Sequence, residues 1–369
     1  MVRKLLALNG LAACLAVLHH ATHWVITAQV WWADQFMNVQ VPYYEFMGTP
    51  GFYIIRVIDE FAFAAVPAFL FISGYFVGIL AGGKNISIPW NTIFTRIKYL
   101  LIPYLIWTWI ILALRLLEGT SYSLREVVSL FILGGIAPPY YYVVVLIQLL
   151  ILSPILVRPI KKRPWLFLGI TIFFEIMVVI TQYLALAGYE SIMMNWMKVF
   201  FLNWRLPAYA IWFLIGMLAY FNLSAFQRFY LKHRWVILSL MLCFLIVGIV
   251  ESELIRRYLG REWISPQSTV FGQLFILSLL LSYLAFDVFG GKVNAILNRI
   301  GGQSYGIFLT HILVLELVAR LTYHIAPLLL SRALLFFVIL SAAGIILPII
   351  LMRMVAISPA RRYYRYLFG

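Results

Sequence analysis

What most restricts the fold of this chain is a recurrence. Runs of about 20 apolar residues, the length a helix needs to cross a hydrocarbon layer of roughly 30 Å, return ten times with charged or turn-rich gaps between them. They fall near 5–28, 61–82, 98–117, 139–157, 165–187, 206–222, 234–250, 268–289, 303–323 and 331–354. Each run is continuous rather than alternating, and an unclosed sheet leaves backbone groups unpaired in lipid, so a barrel is excluded and an all-α polytopic helical bundle is predicted. A 64% hydrophobic content with only 11% charged residues and a mean hydropathy of +0.96 leave too little polar surface for a soluble fold. No gap exceeds about 35 residues and no internal repeat is visible, so residues 1–369 are expected to form a single integral-membrane domain.

Basic residues orient the bundle. With a cytoplasmic N-terminus, the inner segments hold Arg3, Lys4, Lys84, Arg96, Lys98, Arg158, Lys161, Lys162, Arg163, Arg228, Lys232, Arg234, Lys292, Arg299, Arg353, Arg361, Arg362 and Arg365, which is 18 of the 28 Lys and Arg residues. Asp34, Glu45, Asp59, Glu60, Glu118, Glu126, Glu190, Glu251, Glu253 and Glu262 then fall outside, and both termini lie in the cytoplasm. The net charge of +15 is accounted for by these topology determinants and by anionic lipid heads, so it is no sign of nucleic-acid binding. Cys14 and Cys243 sit within spans and outline no disulfide framework. The first span lacks a small-residue cleavage site and is read as retained. The sequons at Asn85 and Asn222 fall in inner loops, out of reach of glycosylation. Residues 29–60 form the longest outer gap, aromatic and polar, with the character of an interfacial lid or substrate loop. Trp24, Trp31, Trp32, Trp196 and Trp204 read as an outer aromatic belt, with sugar stacking as the other reading.

Polar residues inside the spans carry the functional signal. The first span contains LAVLHHATHW, with His19, His20 and His23 toward its outer half; His20 and His23 share a face, as do His19 and His23. A single membrane histidine is most simply bonded to a neighbouring helix, whereas three together point to a wet cavity. The second span reads AAVPAFLFISGYF, with Pro67 early and Ser73-Gly74 two turns later, where Pro frees a carbonyl and Gly permits close helix approach. TRIKYLLIPYLIW puts Arg96 and Lys98 at the inner mouth of the third span, and SYGIFLTHILVLE brings Ser304, His311 and Glu316 into the ninth. Glu316 and Glu175 also have a plain reading as pairing residues, since an unpaired charge at mid-membrane costs on the order of 3 kcal/mol. No HExxH or other ligand spacing suggests a metal site. GGQSYG opens a span without the strand and Lys of a phosphate loop and is read as a turn.

In this order, the first-span His after LAACLAVLH, VPAFLFISGYF, the basic cluster before IPYLIW, YYYVVVLIQLLILSPIL and SYGIFLTH, the chain resembles the acyltransferase 3 family, the membrane-bound enzymes that O-acylate glycans. Two departures stand out. The arginine that many members carry eleven positions before the catalytic histidine is absent: counting back from His20 gives Asn9, and from His19 gives Leu8. Tyr99 stands where the second member of a basic pair spaced three apart is common.

The resemblance implies transfer of an acyl group, acetyl most often, from cytoplasmic acyl-CoA to a hydroxyl of an extracytoplasmic glycan or lipid-linked sugar. The polar Asn9 favours His20 as the general base, a role that suits an imidazole with an ordinary pKa of roughly 6.5. His311 and Glu316 are secondary candidates. Arg96 and Lys98 are expected to hold the phosphates of the donor, with Ser73 and Gly74 flooring a cleft from the inner mouth to His20. Acyl-CoA is then a co-substrate and no cofactor is implied; the partners are donor, sugar acceptor and membrane lipid, and the location is a plasma or inner membrane. The competing class is a transporter or flippase of polysaccharide or lipid intermediates, which a Pro-broken helix along a polar path also suits; no inverted repeat or string of intramembrane carboxylates favours it.

Overall fold

The structure is a computed structural model and describes residues 1–38, 46–82, 87–260, 264 and 269–369. Glu45, Lys84, Asn85 and Glu262, to which the sequence assigns sides of the membrane, lie outside the described residues. The described chain is 84% helical without strands, as continuous apolar runs demand when every backbone N–H must be satisfied within its own segment.

Twelve helices build the bundle: α1 (Val2–Val30), α2 (Pro50–Ala62), α3 (Ala65–Leu80), α4 (Trp90–Leu117), α5 (Tyr141–Lys162), α6 (Pro164–Leu186), α7 (Leu206–Phe221), α8 (Arg234–Leu259), α9 (Val270–Ala285), α10 (Gly291–Gly301), α11 (Ser304–Ile325) and α12 (Ala333–Ile357). Among the described residues nine segments are long and apolar enough to cross a membrane, against the ten expected; the tenth, α9, is a helix of 16 residues. The protein is a multi-pass membrane protein.

One boundary moves in a way that matters. The second crossing starts at Pro50 rather than 61, because Thr49 caps α2 by accepting from the Phe52 N–H at 3.2 Å and Pro50 occupies the first turn. The segment Pro50–Leu80 then reads as one span. Arg56, Asp59 and Glu60 are therefore buried inside the bundle, not held in an outer loop. Arg56 donates to Glu60 and Ser252, both at 2.7 Å, and to the Ile264 carbonyl.

Small residues set the tightest crossings. A β-carbon at Gly74 would collide with the Phe213 carbonyl, and one at Gly216 with the Phe71 carbonyl, so α3 and α7 meet backbone to backbone. Gly10 and Gly301 do the same for α1 and α10. Asn9 fastens the same end of the bundle by donating to the Gly301 carbonyl at 2.9 Å and to Ser304 Oγ at 2.7 Å. The final helix, Tyr364–Phe368, lies against α4, where the Trp107 indole donates to the Leu367 carbonyl at 2.8 Å.

Candidate active site

The histidine half of α1 faces a cavity of about 580 Å³, within the few-hundred to thousand Å³ range of small-molecule sites. α1 contributes His19, His20, His23, Trp24 and Thr27; α11 contributes Phe308, Ile312 and Glu316; α4 contributes Arg115, α5 Tyr141, α7 Tyr209, α9 Gln273, and Arg205 stands at the start of α7. With Ala62 of α2 and Pro67 of α3, eight helices thus meet around three imidazoles that the 100° helical turn places on neighbouring faces.

The imidazoles form a contiguous group. His19 lies 4.8 Å from His20 and 4.6 Å from His23, measured between ring centroids, and His20 lies 5.3 Å from His311 on α11. Their hydrogen bonding separates them. His19 Nδ1 meets Asp59 Oδ1 at 2.7 Å, and Asp59 is fully enclosed. His311 is also fully enclosed and donates from Nδ1 to the Ile307 carbonyl at 3.0 Å, which leaves its Nε2 without a hydrogen-bond partner among the described residues. His20 borders the cavity, and neither ring nitrogen has a hydrogen-bond partner among the described residues. Among the described residues no three His, Cys, Asp or Glu side chains are disposed to hold a metal ion.

The other candidates divide. Glu316 reaches the cavity wall, but both of its oxygens are committed: Arg115 grips it with two bonds of 2.6 and 2.7 Å, and Arg320 adds a third at 2.6 Å. A carboxylate clamped by two guanidiniums ties α4 to α11, the pairing reading that the sequence also offered for Glu316. Arg96 and Lys98 are exposed on the first half of α4, away from the cavity. Ser73 returns its hydroxyl to the Phe69 carbonyl at 2.8 Å. Gly74 packs against the Phe213 carbonyl of α7, the close helix approach expected of it.

On the route expected from the inner mouth to His20 the structure places a group of aromatic rings. Phe308, on the cavity wall, is ringed by Phe69, Tyr140, Tyr142 and Tyr305, with centroids 5.1 to 6.5 Å from its own. These rings make an aromatic floor between the imidazoles and the end of α4 that carries Arg96 and Lys98.

Asp59, Arg115 and Arg205 escape a reading of the sequence as functional residues. For Asp59 a signal exists: Arg56, Asp59 and Glu60 recur at helical spacing in FYIIRVIDEFA, a run continuous with the second span. For the arginines none does, since each sits at the end of a span, where a cation ordinarily reaches the lipid interface.

The profile of the acyltransferase 3 family, described as an acyltransferase domain, matches residues 5–353. The chain belongs to the acyltransferase 3 family. No curated protein and no solved structure matches it. The match begins within α1 and ends within α12, so the acyltransferase domain is the bundle itself, and the cavity lies inside it.

Proposed function

We propose that this membrane acyltransferase moves an acyl group, acetyl in the first instance, from cytoplasmic acyl-CoA to a hydroxyl of an extracytoplasmic glycan or lipid-linked sugar, with His20 as general base. In this reading both termini are cytoplasmic and the membrane is a plasma or inner membrane. The observation that carries the proposal is a cavity inside the bundle bordered by His20, with ring nitrogens unclaimed by other described groups and with His311 behind it. A base needs a free lone pair at the place where the hydroxyl proton is given up.

The sugar hydroxyl enters the cavity and attacks the thioester carbonyl while His20 takes its proton. As the tetrahedral intermediate collapses the C–S bond breaks, and His20 returns the proton to the departing thiolate. His19, paired with the buried Asp59, packs edge-on against His20 and fixes the ring plane. His311 backs His20 from the other side. Trp24, Phe63, Tyr141 and Tyr209 supply aromatic faces suited to a sugar ring. The donor approaches from the side of Arg96 and Lys98, and its acyl arm passes the Phe308 floor.

A second reading is favoured by one specific observation: His19, not His20, has the carboxylate partner that orients the base in acid–base triads. Labelled acetyl-CoA supplied to vesicles decides among these readings. Label appearing on a glycan with wild type and His19→Ala but not with His20→Ala supports His20; the reverse pattern supports His19; glycan movement across the membrane without label supports a transporter.

A further inference from the structure

Charges on the cavity wall are matched with one exception. His19 faces Asp59. Arg115 and Arg320 share Glu316 and Glu118, two cations against two anions. Arg205 has no carboxylate within ion-pair distance among the described residues; its guanidinium lies over the Tyr141 ring, 5.4 Å from the centroid. Glu175, on the Tyr209 side of this wall, does not fill the vacancy: both its oxygens are buried and without a hydrogen-bond partner among the described residues.

Two further features favour negative charge at this place. Arg205 is the residue from which α7 begins, and no side chain caps that end, so the positive end of a 16-residue helix adds to the guanidinium. Beside it the Tyr141 and Tyr209 hydroxyls meet at 2.7 Å, a polar pair on an otherwise aromatic wall. Arg205 is half-buried where it lines the cavity, so its guanidinium, without a carboxylate partner among the described residues, is open to a group that enters. The charge that balances it then arrives with what binds.

We infer that the acceptor taken by this cavity is an anionic sugar, carrying a carboxylate or a phosphate, and that Arg205 recognises this group while a hydroxyl of the same sugar faces His20. The inference rests on the reading of the cavity as the acceptor site. A planar guanidinium held over an aromatic ring presents its N–H fork to an oxyanion bidentately, which a lysine at the same place does not reproduce. Neutral hexoses fit the same aromatic walls and lose only this contact, so Arg205 acts as a selectivity residue.

The test is binding of D-glucuronate, glucose 6-phosphate and D-glucose to the full-length protein in phosphatidylcholine nanodiscs, followed by calorimetry. At least one of the anionic sugars binds about tenfold or more tightly than glucose, as expected for a hydrogen-bonded charged group. Arg205→Gln removes this preference, so that the anionic sugar binds no more tightly than glucose; Arg205→Lys keeps part of it. Independently of any variant, raising the salt weakens binding of the anionic sugar and not of glucose. Equal binding of charged and neutral sugars, no binding of either anion, or a preference that survives Arg205→Gln overturns the inference. So does a preference that disappears in phosphatidylglycerol nanodiscs, which assigns Arg205 to a lipid headgroup. Turnover of labelled acetyl-CoA by wild type and His20→Ala tests the acyl-transfer reading separately: selective binding without turnover upholds Arg205 and removes the proposed reaction, and turnover without selectivity does the opposite.

Discussion

Replacing Asp59 by Asn separates the two histidines that compete for the role of base. The carboxylate is fully enclosed and its Oδ1 lies 2.7 Å from His19 Nδ1. Asn keeps the shape and a hydrogen bond but removes the charge. A hydrogen bond to a charged group contributes about 1.5–3 kcal/mol and a neutral one about 0.5–1.5 kcal/mol, so the substitution removes on the order of 1–1.5 kcal/mol. If His19 only holds His20 in place, that loss appears as a fall of about tenfold in turnover. Loss of a general base costs about 10²- to 10⁴-fold, which is the expectation for His20→Ala. The assay is label transfer from acetyl-CoA to the glycan fraction of vesicles, normalised to folded protein. A drop in Asp59→Asn as deep as that in His20→Ala refutes the assignment and makes His19, oriented by Asp59, the base; wild-type activity in Asp59→Asn strips the pair of any part in the reaction.

Further expectations concern the frame around the site. Glu316→Gln leaves Arg115 and Arg320 with only Glu118; removal of one partner from a buried ion pair costs about 3–5 kcal/mol, but these arginine side chains are 29% and 45% exposed, so about 1–2 kcal/mol is expected after screening, measured as a lowered unfolding midpoint with activity per folded molecule largely kept. Gly216→Ala drives a methyl group into the Phe71 carbonyl and lowers stability by about 1–3 kcal/mol, seen in thermal unfolding in detergent. Arg96→Ala raises KM for acyl-CoA several-fold while kcat holds; an unchanged KM leaves that cation as a topology signal alone. Phe308→Ala thins the aromatic floor and raises acceptor-independent hydrolysis of acetyl-CoA, and unaltered hydrolysis places the donor path elsewhere.

The bundle was legible because lipid leaves the backbone one solution for each apolar run, and span length follows from hydrocarbon thickness. Hydropathy fails where charge falls inside a span. Arg56, Asp59 and Glu60 look like loop residues by composition, yet Arg56 neutralises Glu60 and His19 engages Asp59, so a polar stretch in the later half of α2 is carried into the bundle. The same blindness hides Arg115: nothing in the sequence pairs it with a glutamate 201 positions away, because long-range partners leave no local periodicity. His20 and His311 were legible as a pair of intramembrane imidazoles, and the structure brings them to 5.3 Å. At Gly74 a small residue that permits close approach of a ligand equally permits close approach of a helix, and α7 packs there.

The aromatic floor changes what the two ends of the bundle must do. A channel standing open from the inner mouth to the cavity would pass water and ions across the membrane; the rings around Phe308, Tyr142 edge-on and Tyr305 stacked, lie on that route with side chains alone. Tyr305 holds its place by donating to the Leu100 carbonyl at 2.5 Å, and Tyr140 by donating to the Leu309 carbonyl at 2.7 Å. Phe308 and Phe69, the two phenylalanines of the group, carry no polar group to anchor them, and of the two Phe308 stands on the cavity wall. Under the proposed reaction an acyl arm needs to displace only this side chain to reach His20, and the rings bonded to backbone keep the seal around it. Glycan and thioester then meet at one imidazole without a continuous aqueous path between the two sides of the membrane.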